Sequence, residues 1–377
     1  MGVRRCFSLI ILFLGVVFLI LWGIYSPKMA GSGKEVLFKI EKGQGAKEIS
    51  LNLQEQGLIK RGPFFRIYVL FRGTSKDLQA GVYKLSPLMN IPKIAEKFSL
   101  GDVAKESITI PEGWNLRDIG SLFEQKGMFR AEDLWKITGF PPLKYKKVVE
   151  TPLPKPSTGA ELGAGLVPHR PDSGVGTGAG DFSSDFDFLK DKPKTISLEG
   201  YLFPDTYQIA YGTPIEEAVR IMLQNFDTKL NQGLKNEILK PTVPTQQKKT
   251  IFEIITMASL IEKEVKTKED KELISGILWK RLKNKMPLQV DATVSYITGE
   301  KTMEVSKEET QIDSPYNTYK YRGLPLGPIS NPGIESIEAA IYPKSSQYWY
   351  YLSTPDGETI FSKTLEKHNI AKAKYLK

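Results

Sequence analysis

From Cys6 to Tyr25 the chain runs without a charged residue, and Arg4 and Arg5 stand just before the run. About 20 apolar residues in a helix cross the hydrocarbon core of a bilayer, so the pattern predicts a membrane span. The leading arginines hold the short tail in the cytoplasm and leave the bulk of the chain outside it. The run is longer than the roughly 7–15 residues of a cleaved signal peptide, and no Ala-x-Ala site follows, so it reads as a single-pass anchor.

Sliding the chain against itself uncovers a weak repeat between Val36 and about Phe140. Glu41-Lys42-Gly43 with Ile49, Leu53 and Gly57-Leu58-Ile59 matches Pro111-Glu112-Gly113 with Ile119, Phe123 and Gly127-Met128-Phe129. Each copy predicts a short strand, a glycine turn, an amphipathic helix and a glycine stop. Between the copies, Phe64 to Phe71 predicts a helix and Gln79 to Tyr83 a strand. Such strand-helix units resemble LysM-like modules that hold glycan chains; duplicated packing without a ligand is the alternative.

Residues 151–180 are rich in Gly, Pro, Ser and Thr and lack the apolar periodicity of a packed core, which predicts a flexible insertion. His169 lies inside it, a poor place for precise chemistry. The aromatic stretch Ser197 to Tyr207, broken by Gly200 and Pro204, predicts a loop packed on the domain that follows. Helices are predicted at Ile215 to Phe226 and Asp270 to Lys285, with a polar, Pro-containing connection after the first.

Between them, Ile251, Ile254, Ile255, Ala258, Ile261 and Val265 share one stripe of an amphipathic helix. Glu262 projects into the middle of that stripe. Glu253, Lys263 and Glu264 fall on the opposite side, as solvated charges do, although Leu260 falls there too and suggests a largely covered helix. A carboxyl group facing an apolar wall is costly to ionise and becomes a candidate proton donor near neutral pH. A glutamate at a core edge that pairs with a lysine is the plainer explanation of the same pattern.

Leu288 to Thr293 alternates, which puts Gln289, Asp291 and Thr293 on one face if the segment is extended. Alternatively, Asp291 caps a helix starting at Ala292. Ser314 to Gly333 is crowded with Pro, Gly, Asn and Tyr, a composition suited to a rigid polar and aromatic surface for sugar rings. Asn331-Pro332 reads as the N-cap and first turn of a helix through Ala340. Tyr348 to Leu352 and Thr359 to Phe361 form a hairpin through Pro355-Asp356-Gly357, before a last helix with His368 and Asn369.

At 377 residues the chain is long enough for two or three domains of about 150 residues. The net charge of +9 is spread over lysines scattered among acids, without the basic, aromatic-interleaved run of a nucleic-acid groove. One cysteine, Cys6, and two histidines, His169 and His368, leave too few ligands for a zinc site and too few bases for a Cys/His nucleophile pair. No Gly-x-Ser-x-Gly elbow is present.

Seven ordered motifs now stand together: Leu198-Glu-Gly-Tyr-Leu-Phe-Pro-Asp-Thr-Tyr207, Ala258-Ser-Leu-Ile-Glu-Lys-Glu264, Leu288-Gln-Val-Asp291, Tyr316-Asn-Thr-Tyr319, Gly323-Leu-Pro-Leu-Gly-Pro-Ile329, Asn331-Pro-Gly333 and His368-Asn369. In these the chain resembles the MltG-type (YceG-like) endolytic murein transglycosylases from the anchor onward. It departs from them at Leu326, where a second proline is common, and in the 151–180 insertion. The resemblance implies an α+β protein: a membrane-anchored chain with a LysM-like small α/β subdomain followed by a mixed α+β catalytic domain. The implied division is tail and anchor at 1–30, LysM-like region at 31–145, insertion at 146–190 and catalytic domain at 191–377.

The resemblance further implies cleavage of nascent peptidoglycan between N-acetylmuramic acid and N-acetylglucosamine, outside the cytoplasm at the inner membrane. Its catalytic glutamate is matched to Glu262, with no metal or cofactor. Gln289, Asp291, Tyr316 and Asn317 are expected to orient the sugar, with His368 and Asn369 supporting them from behind. Partners are then glycan strands, the membrane and peptidoglycan synthases, with no nucleic acid. Two other readings compete: a non-catalytic wall-binding scaffold, which does not need Glu262, and a hydrolase in which Glu262 and Asp291 act on water.

Overall fold

The computed structural model describes residues 2–29, 31, 33–140, 181–240, 249–300 and 305–376. The chain divides into two compact units, Met1–Ile108 with Gln208–Thr213, and Thr109–Tyr207 with Pro214–Lys377. The first boundary therefore falls at Ile108, well before residue 145, and the second repeat copy lies largely in the unit that carries the Glu262 helix. Most of the proposed insertion, with His169, lies outside the described residues. Its last part does not behave as a linker, since Phe182, Phe186, Phe188 and Leu189 are core residues.

In the first unit, α1 (Gly2–Tyr25) is long and apolar enough over Phe7–Tyr25 to cross a membrane. Then follow β1 (Val36–Ile40), α2 (Ala46–Glu55), α3 (Gly62–Phe71), β2 (Gly81–Leu85) and α4 (Ile91–Leu100). β1 and β2 pair antiparallel, from Val36 opposite Leu85 to Ile40 opposite Gly81. The alternation of β1 turns Phe38 and Ile40 inward, where they meet Ile49 and Leu53 of α2, Phe65 and Val69 of α3, and Phe98 of α4. Phe98 anchors this core, stacked on Phe38 at 5.7 Å and edge-on to Tyr83 at 4.7 Å.

β3 (Lys105–Thr109), α5 (Leu116–Gln125), α6 (Ala131–Thr138) and β4 (Thr206–Ala210) repeat the same order of elements, and β3 pairs with β4. The repeat is carried in the backbone. Gly57 and Gly127, at φ +73° and +64°, end their helices in the left-handed region. In both copies the next residue's N–H donates to the carbonyl of the helix's last core residue: Leu58 to Leu53 at 2.9 Å and Met128 to Phe123 at 3.0 Å.

Among the described residues, the other main elements of the second unit are helices and one hairpin. They are α7 (Ile215–Lys229), α8 (Gln232–Leu239), α9 (Ile251–Glu264), α10 (Lys268–Lys283), α11 (Asp291–Thr298), α12 (Ile334–Ile341), β5 (Tyr350–Ser353), β6 (Thr359–Ser362) and α13 (Leu365–Tyr375). α8 falls in the stretch that composition marked as a polar connection. α9 is the central helix, packed by α10, α11 and α12. Its start is fixed by a capping box: Thr250 Oγ1 accepts from Glu253 N–H, and Glu253 Oε2 accepts from Thr250 N–H. α10 comes in close enough that a Cβ on Gly276 would lie 1.9 Å from the Lys344 carbonyl oxygen.

Candidate active site

α9 is covered all round: every residue from Ile254 to Ile261 is buried. A helix covered on every side over its middle turns cannot sort its carboxylates into buried and free by periodicity, so Glu262 and Glu264 must be separated by their partners.

Glu262 does not face an apolar wall. Its Oε2 accepts from the Gly333 N–H at 3.0 Å and the Ser336 hydroxyl at 2.6 Å, both at the start of α12. The Lys271 ammonium, only 2 % exposed, lies 3.6 Å from the same oxygen and 3.7 Å from Glu335. The Glu262 side chain is thus tied to the N-terminal turn of α12 and to Lys271 of α10. Glu112 of the Pro111-Glu112-Gly113 turn joins from the other side: a Cβ on Gly333 would lie 1.9 Å from its Oε1. Burial, and then the charge of Glu262, hold the Glu112 carboxyl above its ordinary range. Glu262 thus braces α9, α10 and α12.

Glu264 overturns the expectation that it is a solvated surface charge. It is partly buried, and desolvation pushes its carboxyl up to about 7; a hydrogen bond from Tyr351 and the charge of Arg281 pull down, and the charge of Asp291 pushes further up. Tyr319 donates its hydroxyl hydrogen bond to Asp291 Oδ1. Arg281 is fixed from behind, its Nε donating to the Trp349 carbonyl at 2.9 Å and its Nη1 to the Leu288 carbonyl at 2.7 Å. Its guanidinium lies over the rings of Tyr350 and Tyr351. Glu264, Asp291, Tyr319, Tyr351 and Arg281 therefore form one cluster, built from α9, α11, the Tyr319 loop, β5 and α10.

The other sequence-chosen residues divide between this cluster and the scaffold. Asp291 is neither on an extended face nor a cap; it is the first residue of α11, whose cap position is Val290. Gln289 is exposed and held at φ +54°, a costly conformation for a residue with a Cβ, while its N–H donates to the Thr318 carbonyl. Tyr316 packs its ring on Tyr296 at 5.1 Å. Asn317 is fully buried and spends its amide inside its own loop. It donates to the Thr310 and Ile312 carbonyls and accepts from the Tyr319 N–H. His368 stacks on Tyr350 at 5.4 Å, and burial lowers its pKa. Asn369 is exposed on α13.

The remaining motifs explain how the site is held. Ser259 Oγ accepts from the Ile329 N–H, and the Ser330 hydroxyl donates to the Ser259 carbonyl, fastening the Gly323–Ile329 loop to α9. Asn331 is not a helix cap, since α12 starts after Gly333. Its amide instead accepts from the Leu202 N–H and donates to the Trp114 carbonyl and to Glu199. Glu199, wholly buried, accepts from the N–H of Leu116 at the start of α5 and from the Tyr296 hydroxyl; burial still pushes it up to about 8.

A carboxyl group that burial pushes up to about 7, with a second carboxylate and two phenols around it, makes this cluster the candidate acid–base site on a helical scaffold. The YceG-like family model matches residues 38–374. An endolytic murein transglycosylase of Bacillus subtilis (strain 168) is 31 % identical over 367 residues, covering 97 % of this chain and 91 % of its own. One of Streptococcus pneumoniae (strain ATCC BAA-255 / R6) is 31 % identical over 356 residues, and there the match spans 59 % of the relative's length. The crystal structure of a putative yceG-like protein from Listeria monocytogenes superimposes with a TM-score of 0.54 at 30 % identity, covering 90 % of this chain and all of that one. The chain belongs to the YceG-like family.

Proposed function

We propose that this protein is an endolytic peptidoglycan transglycosylase that cuts nascent glycan strands between N-acetylmuramic acid and N-acetylglucosamine, with Glu264 rather than Glu262 as its acid and base. The observation that carries the choice is the Glu264 carboxyl, held near neutrality by burial. A group titrating there can both give and take a proton under ordinary conditions. Glu262, salt-bridged and bound by two hydrogen bonds, has the opposite environment.

In this reading the Glu264 carboxyl protonates the glycosidic oxygen as its bond to muramic acid C1 breaks, and the N-acetylglucosamine 4-hydroxyl leaves. The resulting carboxylate takes the proton from the muramic acid 6-hydroxyl, whose oxygen bonds to C1 and closes a 1,6-anhydro ring. No water is consumed, and no metal is needed. Asp291 and Gln289 are proposed to contact the sugar, and Tyr351 and Arg281 to hold Glu264. Asn317, His368 and Asn369 are left supporting roles. α1 would anchor the chain in the cell membrane with its N-terminus in the cytoplasm, beside the synthases that supply the strands. The strand-helix-helix-strand order of the first unit supports a LysM-like, glycan-holding role for it.

The charge of Asp291 acting on Glu264 also favours a second reading, a two-carboxylate hydrolase. Product masses separate the two. Digestion of purified peptidoglycan should yield muramic acid ends lighter by one water than reducing ends. Reducing ends, with uptake of labelled oxygen from water, would rule out the transglycosylase chemistry.

A further inference from the structure

α3 is the second most membrane-like segment of the described chain, a short apolar helix of sequence GPFFRIYVLF without a single acid. It leaves large apolar side chains outside the core: Leu70 is 72 % and Phe71 86 % exposed. Arg61, Arg66 and Arg72 are exposed along and around it. Between α2 and α3 lies an open hollow of about 470 Å3, with Ile67 and Leu70 on its wall and Lys47 and Arg66 at its edge.

The same helix is packed on the end of the apolar span. A Cβ on Gly23 would meet the Phe64 ring at 2.3 Å, so α3 touches α1 at its last turn. Lys60, just before α3, stands over the Trp22 ring at 3.8 Å and donates to Ser26 Oγ at 2.6 Å. At about 100° per residue, Phe64, Tyr68 and Phe71 form one stripe, so exposed Phe71 continues the face that meets α1. Seven residues at about 1.5 Å each put it only some 10 Å further along the axis, within reach of the headgroup layer.

We propose that α3 lies in the headgroup layer of an anionic bilayer, with Leu70 and Phe71 as an apolar wedge and Arg61, Arg66 and Arg72 against lipid phosphates. Apolar tips flanked by arginines are the composition of interfacial helices, and the occupant must be a membrane because α3 adjoins the helix that enters one. The first unit is then held on the membrane surface by two contacts, which restricts its orientation. The proposal rests on the reading of α1 as an anchor.

The test places a single spin label on the full chain, freed of its one native thiol by Cys6→Ser, in bilayers of pure phosphatidylcholine or with phosphatidylglycerol. Labels are introduced by Phe71→Cys, by Leu12→Cys in α1 and by Lys190→Cys on exposed surface of the second unit. The Phe71→Cys label should be open to oxygen but shielded from a water-soluble nickel chelate, as at Leu12→Cys. Its shielding should be stronger with phosphatidylglycerol and should weaken at least about threefold on adding Arg66→Glu and Arg72→Glu. Chelate access at Phe71→Cys equal to that at Lys190→Cys, with Leu12→Cys shielded, overturns the proposal while the anchor stands. Equal shielding in both lipids overturns the anionic preference, and access at Leu12→Cys overturns the anchor and the proposal with it.

Discussion

At the scale of single residues, Glu262 and Glu264 show where sequence pattern stops. Periodicity picks Glu262 because it lies among isoleucines, yet the partners that decide its role, Ser336 and Gly333, are brought by a helix more than 70 residues away. Glu264 is masked by the same logic, since its hydrogen bond from Tyr351 and the charges of Asp291 and Arg281 come from residues distant in sequence. Its two neighbours act with opposite sign, which gives a prediction for the pH profile of cleavage. Tyr351→Phe removes a hydrogen bond that lowers the Glu264 pKa, so the basic limb should move to higher pH. Asp291→Asn removes a charge that raises it, so the same limb should move to lower pH. Limbs that stay in place in both variants would detach the profile from Glu264.

Glu199 yields a stability prediction. Its carboxyl goes from 4.5 up to about 8 on folding, chiefly by burial, so the folded chain keeps a proton that the unfolded chain has released. Stability should therefore fall as pH rises from about 4.5 to about 8, by up to about 1.4 kcal/mol per pH unit for this one proton. Glu264 adds to the fall up to about 7. Glu199→Gln, with no proton to lose, should flatten the slope in urea unfolding between pH 5 and 8. An unchanged slope would mean that Glu199 is already ionised in the folded state.

At the scale of elements, what could be read was what is local. The repeat is visible in sequence because glycines 70 positions apart take the same left-handed φ, a requirement written at single positions. The β5–β6 hairpin is legible for the same reason, with Gly357 at φ +86° in its turn. α8 was missed because only Ile238 is buried on it, so it has no apolar stripe to find. Asn331 looked like a cap because Asn-Pro opens many helices, but its amide is claimed by Glu199, Trp114 and Leu202, none of them near it in sequence. Close helix packing was equally invisible. Gly276→Ala should clash with the Lys344 carbonyl and cost about 1–3 kcal/mol, whereas Gly45→Ala, with open space around its Cβ, should cost only the preference for glycine over alanine at a helix cap, about 1 kcal/mol or less. Equal unfolding midpoints for the two variants would show that α10 can give way.

At the scale of the whole molecule, composition and motif order gave the class, while the boundary of the units was not legible. The second strand-helix-helix-strand copy reads as a partner of the first, but Asn331 bonds its opening turn, through the Gly113 N–H and the Trp114 carbonyl, to the unit that contains α9. The role assigned to that unit reduces to one comparison. Glycan cleavage by the full chain should be measured beside Glu262→Gln and Glu264→Gln, each normalised to the folded fraction. Glu264→Gln should lose at least about 10²-fold in turnover while folding as well as the parent, since it removes only the proton that is transferred. Glu262→Gln should cost about 3 kcal/mol of stability, leaving Lys271 without its buried partner, and keep turnover within about tenfold. A folded but inactive Glu262→Gln beside an active Glu264→Gln would contradict the account.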